Sequence, residues 1–98
     1  LKSGSRPDAI ICCNDILALG AVYASQSLGL SVPEDIAVTG VGDFKGSKEI
    51  EPALTTIRIP AKTIGALGGA ALVQSIISPE SELENRCCVS DLVTRSTC

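Results

Sequence analysis

The chain of 98 residues carries eight Lys and Arg against eleven Asp and Glu, a formal charge of −3, and contains no histidine, tryptophan or methionine. With 45% hydrophobic and 19% charged residues it lies among chains that bury a core, and it supplies one domain's worth of residues. The missing histidine removes the usual general base, the histidine-dependent triads and the commonest transition-metal ligand, which argues against most hydrolase chemistry. The basic residues Lys2, Arg6, Lys45, Lys48, Arg58, Lys62, Arg86 and Arg95 are scattered and outnumbered. They form no stripe of the kind that neutralises a phosphate backbone, so the chain by itself is not expected to bind nucleic acid.

The sequence starts at Leu1 without a charged leader or an apolar signal segment, and it reads as a fragment or processed piece. Its longest uncharged run, Thr63 to Pro79, contains Gly65, Gly68, Gly69, Gln74, Ser75 and Ser78, a composition that suits a buried helix better than a membrane span. Five cysteines stand as two adjacent pairs, Cys12 with Cys13 and Cys87 with Cys88, plus Cys98. An odd count without zinc-knuckle spacing indicates free thiols in a reducing compartment, the cytoplasm, and small strand hydrophobes rather than metal ligands.

In chain order, Ala9 to Cys13 is a short apolar run expected to form a strand covered on both faces. Asn14 then caps a helix from Asp15 to about Leu28, with Asp15 on the positive end of its dipole and Gly29 as its left-handed stop. Leu17, Ala21, Ala24 and Leu28 form one stripe, expected to face the core. Ile16, Leu19 and Tyr23 form a second that points away from it and calls for another partner. Ile36 to Val41 reads as a second strand, which completes a βαβ unit. Further strands are expected at Thr55 to Ile59, Arg86 to Val89 and Leu92 to Arg95. Between them, Ala61 to Ile77 forms a helix, apolar nearly all round and so sandwiched, whose three glycines suggest close approach by a neighbour. The fold class is α/β, a parallel sheet with helices on both faces.

Gly40, Gly42 and Gly46 do not make a dinucleotide fingerprint, because Lys45 stands where the third glycine belongs. No GxSxG elbow or SxxK pair occurs. Neither an enzyme, a cofactor nor a metal is expected. More informative is position: Asn14 and Asp15 end the first strand, and Gly42 and Asp43 end the second. Ligands of open α/β sheets bind at that carboxyl edge, where an amide and a carboxylate suit the hydroxyls of a sugar. The plainer alternatives are that Asn14 is only a helix cap and Asp43 only a turn residue.

The segments RPDAIICCND followed by ILALGA, GLSVPEDIAVTGVGDF, PALTTIRIP and LVTRSTC, in this order and spacing, resemble the C-terminal portion of the LacI/GalR family of bacterial transcriptional repressors. The resemblance covers essentially all 98 residues. It implies a type I periplasmic-binding-protein-like fold in which 1–98 form part of an effector-binding domain, the C-terminal subdomain, with the N-terminal subdomain and a DNA-binding helix-turn-helix absent. The implied partners are a sugar or sugar acid, a second copy of the chain, and operator DNA only through the absent domain, with no membrane. Asn14 matches the family's pocket asparagine. The family's pocket aspartate position holds Gly42, and Asp43 follows it, a variation that resembles relatives answering to sugar acids such as gluconate. Ile16, Leu19 and Tyr23 fall on the helix that packs across the family's dimer, and Ile50 falls in another dimer segment. The alternatives are a periplasmic sugar-binding protein, against which the free cysteines and the VPEDI segment argue, and an unrelated α/β enzyme.

Overall fold

The computed structural model describes residues 4–98. The elements are β1 (Ala9–Ile11), α1 (Asp15–Ser27), β2 (Ala37–Gly42), a 3-10 turn (Lys45–Lys48), β3 (Thr55–Arg58), α2 (Ala61–Ile77) and β4 (Asp91–Val93). They fall into two compact units, residues 4–58 with 91–98, and Ile59–Ser90.

In the first unit the four strands form one open sheet in the order β1-β2-β3-β4. β1 and β2 run parallel with Ile11 beside Thr39, and β2 and β3 run parallel with Gly42 beside Arg58. This is an open α/β sheet, as the βαβ spacing predicts. β4 joins antiparallel, Leu92 opposite Ile57. Behind β4 the chain stays pinned: Ser96 N–H donates to Ala53 O at 2.9 Å, Val38 N–H to Thr97 O at 2.9 Å, and Thr55 N–H to the Thr97 hydroxyl at 2.9 Å. Buried Thr97 thereby satisfies backbone groups that the strand ladder leaves over.

The core lies between α1 and the sheet. Ala18, Val22, Ile36, Val38 and Leu54 are fully buried, with Cys12 and Val32 nearly so, and Ile10, Ala21, Leu30 and Ile50 pack against them. Which face of α1 turns inward corrects the expectation from side-chain size. Leu17 and Leu28 are exposed, and the buried row is Asp15, Ala18, Val22 and Ser25. The reason is close approach. A Cβ added at Gly40 would stand 3.1 Å from the Ala18 methyl group and 3.2 Å from the Asp15 Cα, so α1 lies too near β2 to admit leucine on that face. Small residues and a satisfied serine take the contact instead, the Ser25 hydroxyl donating to Ala21 O at 2.8 Å.

β1 is shorter than expected, so Cys12 and Cys13 lie just beyond it. Gly29 adopts a φ of +78 after the helix, in keeping with its role as a left-handed stop.

The second unit holds α2 and an irregular segment. Arg86 to Val89 is not a strand here, because no strand among the described residues pairs with it. No residue of α2 is buried, and nothing lies within 4 Å of a Cβ placed at Gly65, Gly68 or Gly69. The expected sandwich and close approach are therefore not formed within this unit. The irregular segment lines only one side of α2, through Glu82, Leu83, Glu84, Arg86 and Cys88 against Ile64, Leu67 and Ala71. No helix among the described residues is long and apolar enough to cross a membrane.

Candidate functional site

The carboxyl ends of β1, β2 and β3 lie side by side because the three strands are parallel neighbours. Asn14 follows β1 in extended backbone, φ −153 and ψ 168, and its Oδ1 accepts from Leu17 N–H at 2.8 Å. Asn14 therefore does cap α1, but with its oxygen alone. Its amide Nδ2 has no partner among the described residues and remains a donor at the exposed edge.

Asp15, read from the sequence as a helix-dipole charge and, with Asn14, as the polar end of the first strand, is the best-connected side chain of the edge. It is 3% exposed. Its Oδ1 accepts from the Thr56 hydroxyl at 2.6 Å, and its Oδ2 accepts from Phe44 N–H at 3.2 Å and closely from the Ser47 hydroxyl. One carboxylate thus ties the start of α1 to β3 and to the loop after β2. The charge is tolerated because hydrogen bonds from hydroxyl and amide donors replace water. Gly40 leaves room for it: an added Cβ would collide with Asp15 Oδ1.

Asp43 sits at the start of that loop, with φ 54, after Gly42 with φ +127. The aspartate accepts this left-handed backbone more readily than most residues do. Both its oxygens are engaged: Oδ2 accepts from Arg58 Nε at 2.7 Å and Oδ1 from Arg95 Nη2 at 2.8 Å. Arg95 also donates from Nη1 to Leu54 O at 2.9 Å. Burial alone would raise the Asp43 pKa, but the hydrogen bonds and charges of Arg58 and Arg95 outweigh it, and the carboxyl is held below the usual aspartate value.

Asn14 and Asp43 therefore stand at the same edge of neighbouring strands, whereas the four residues assigned to a dimer face divide. Ile16 and Tyr23 are 71% and 52% exposed, Leu19 is half-buried on the same helix, and Ile50 is half-buried against the core. Sequence reading passed over Arg58 and Arg95 as partners of Asp43, and it placed Asp15 at the edge without its inward turn. A signal for Asp15 existed in its 3-4-3 spacing with Ala18, Val22 and Ser25, which puts it on the inward face. An inward carboxylate demands donors, and Ser47 and Thr56 supply them.

All five cysteines are unpaired. Cys12 is buried, and that burial, with Cys13 beside it, pushes its thiol pKa up. Among the described residues no group of three or more Cys, Asp or Glu is placed to hold a metal ion.

The chain matches the periplasmic binding protein-like domain family over residues 1–98. It is 40% identical over 82 residues to the HTH-type transcriptional repressor PurR of Serratia proteamaculans (strain 568), a match covering 84% of this chain and 24% of that protein. The crystal structure of a LacI-type transcription regulator from Bifidobacterium animalis subsp. lactis superposes with a TM-score of 0.89 and 33% identity, over 98% of this chain and 34% of that one. A LacI family transcriptional regulator from Enterococcus faecium with bound ribose gives 0.86 and 29%, over 95% and 35%. The chain spans about a quarter of the length of the curated relatives it matches and about a third of the solved ones. It belongs to the periplasmic binding protein-like domain family, as an effector-binding domain fragment of the LacI/GalR regulators.

Two outcomes follow from this edge. Asp15→Ala leaves two hydroxyls and an amide without their acceptor and is expected to destabilise the chain by about 3 kcal/mol in urea unfolding. Removing exposed Asp8 should change stability by less than about 0.5 kcal/mol. Because the folded-state pKa of Asp43 is lowered, its contribution to stability is complete above its unfolded value of about 3.9 and is lost as pH falls through the lower folded value. The stability gap between wild type and Asp43→Asn should therefore be constant near neutrality and close below about pH 4 in acid unfolding curves.

Proposed function

We propose that this chain is the effector-sensing and dimerisation part of a cytoplasmic LacI-type transcriptional repressor, with residues 1–98 forming part of its effector-binding domain. Operator DNA is contacted by a helix-turn-helix domain outside these residues. The observation that carries the reading is the convergence of Asn14 and Asp43 on one carboxyl edge of a parallel sheet, the place where open α/β folds bind small molecules. The bound ribose of the Enterococcus faecium relative and the name of the Serratia repressor support the same reading.

The effector is a sugar or sugar acid. The Asn14 amide donates to one of its oxygens. Asp43, with each oxygen already holding an arginine, keeps further lone pairs for a hydroxyl. The effector binds one closure state of the effector domain more tightly than the other and shifts their populations. The shift changes how a pair of DNA-binding heads is presented, so operator affinity changes by the coupling free energy. Pairing requires a second copy of the chain. Ile16 and Tyr23, exposed on α1 beside half-buried Leu19, form its contact together with Ile50.

In the full-length protein, Asn14→Ser keeps a capping oxygen and removes the amide donor. It is expected to weaken effector response roughly tenfold, the scale of one hydrogen bond, while operator binding without effector is unchanged. Equal effector titrations of wild type and variant would exclude Asn14 from the pocket. Leu19→Glu is expected to turn a dimer into a monomer by light scattering, since it sets a charge into an apolar contact. A variant that stays dimeric places the interface elsewhere.

A further inference from the structure

The chain carries two pairs of adjacent cysteines, and the structure sets them in opposite situations. Cys12 and Cys13 follow β1. The Cys12 side chain is part of the core, its N–H donates to Thr39 O at 2.8 Å, and Cys13 faces solvent. Joining these two sulfurs would strip a side chain from the core and disturb the end of the β1–β2 ladder. Burial also pushes the Cys12 thiol pKa up, which holds it in the protonated, unreactive form.

Cys87 and Cys88 meet neither obstacle. Residues 82–90 form no helix and no strand, and among the described residues no backbone hydrogen bond involves Cys87 or Cys88. Cys87 is exposed and Cys88 half-buried, the latter on the wall of the cavity that Leu83, Glu84 and Arg86 form with α2. Turning both sulfurs to one side therefore breaks no ladder bond and empties no core position. The Cα atoms of adjacent residues lie about 3.8 Å apart, closer than the roughly 4.4 Å at which ordinary disulfides begin, so a ring closed here is strained and easily reduced. Strained, exposed disulfides are the labile ones, and in a reducing compartment such a bond is transient.

We propose that Cys87 and Cys88 form a reversible dithiol switch that a hydroperoxide oxidises, while Cys12 and Cys13 stay reduced. The exposed Cys87 sulfur attacks the peroxide: an S–O bond forms, the O–O bond breaks, and the remainder leaves as an alcohol, or as water from hydrogen peroxide. The Cys88 sulfur then displaces the oxygen from the Cys87 sulfenic acid, so that an S–S bond forms and water leaves with the Cys88 proton. The two sulfurs together lose two electrons and the peroxide gains them. The closed ring cannot coexist with a strand over Arg86 to Val89, because neighbours in a strand point to opposite faces. Oxidation thus removes the extended conformation that the composition of this segment suits, and it draws Cys88 off the cavity wall.

The test treats the full-length protein with hydrogen peroxide, unfolds it in urea with N-ethylmaleimide present to label the thiols that remain, and weighs the tryptic peptides. Arg86 and Arg95 bound the peptide 87–95, which holds this pair alone. It is expected to appear two hydrogens lighter and unlabelled, with at least about tenfold more ring there than at Cys12 and Cys13. Millimolar glutathione should reopen it to a doubly labelled peptide. Cys88→Ser should stop at a Cys87 sulfenic acid that dimedone traps, whereas the wild type yields no trapped product. When peroxide is added after unfolding, the two pairs should react alike. Double labelling of 87–95 after peroxide, or linkage of Cys87 to Cys13, Cys98 or a second copy in place of Cys88, would overturn the proposal. A ring that survives glutathione would overturn its reversibility, and a preference for Cys87 and Cys88 that persists in urea would overturn the structural cause given for it.

Discussion

A carboxylate taken out of water has to be repaid in hydrogen bonds, and Asp15 collects its three donors from two other parts of the chain. Thr56 lies on β3, Phe44 and Ser47 lie in and beside the loop after β2, and Asp15 itself opens α1. Asp15 lies 29 to 41 residues from these donors in sequence, so the carboxylate holds the edge in register where the apolar core thins out. The core ends at Ala18 on the helix and at Val38 on β2. Beyond that layer polar contacts do the positioning. Gly40 is a condition of the same arrangement, since a side chain there would occupy the place of the Asp15 carboxylate.

The second carboxylate of the edge works differently. Asp15 is satisfied by neutral donors and turned inward, whereas Asp43 is satisfied by two guanidiniums and stands where the loop leaves β2. Arg58 comes from the end of β3 and Arg95 from beyond β4, so Asp43 fastens the C-terminal run to the same corner that Thr97 secures from below. Nearly buried as a side chain, it resists protonation more than a solvated aspartate does.

Much of the fold was legible in the sequence, for a physical reason. The elements of the first βαβ unit followed from local signals that act within a few residues: the Asn14 cap, the Gly29 stop and the apolar runs of β1 and β2. What could not be read locally was the rotation of α1 about its axis. Leucine outranks alanine in any hydrophobic count, but the closeness of α1 to β2 is a tertiary fact, and it turned Ala18 and Val22 inward in place of Leu17 and Leu28. The same limit applies to Arg86 to Val89, whose composition suits a strand although a strand exists only with a neighbour. Of the site, the edge positions of Asn14 and Asp43 were legible from topology alone. The arginines that engage Asp43 were not, because Arg58 and Arg95 approach it from 15 and 52 residues away in sequence.

Taken together, the two carboxylates and the cap decide what the edge has left to offer. Asp15 is used up by the fold, and Asp43 has committed one bond from each oxygen to an arginine. Asn14 has given its oxygen to Leu17 N–H. The groups that remain are mainly donors, the Asn14 amide and the terminal nitrogens of Arg58. A ligand that complements such an edge must be rich in acceptors, because a donor-rich ligand would leave these groups desolvated and unpaired. The polar atoms that hold the edge together thus also decide which donors it leaves exposed.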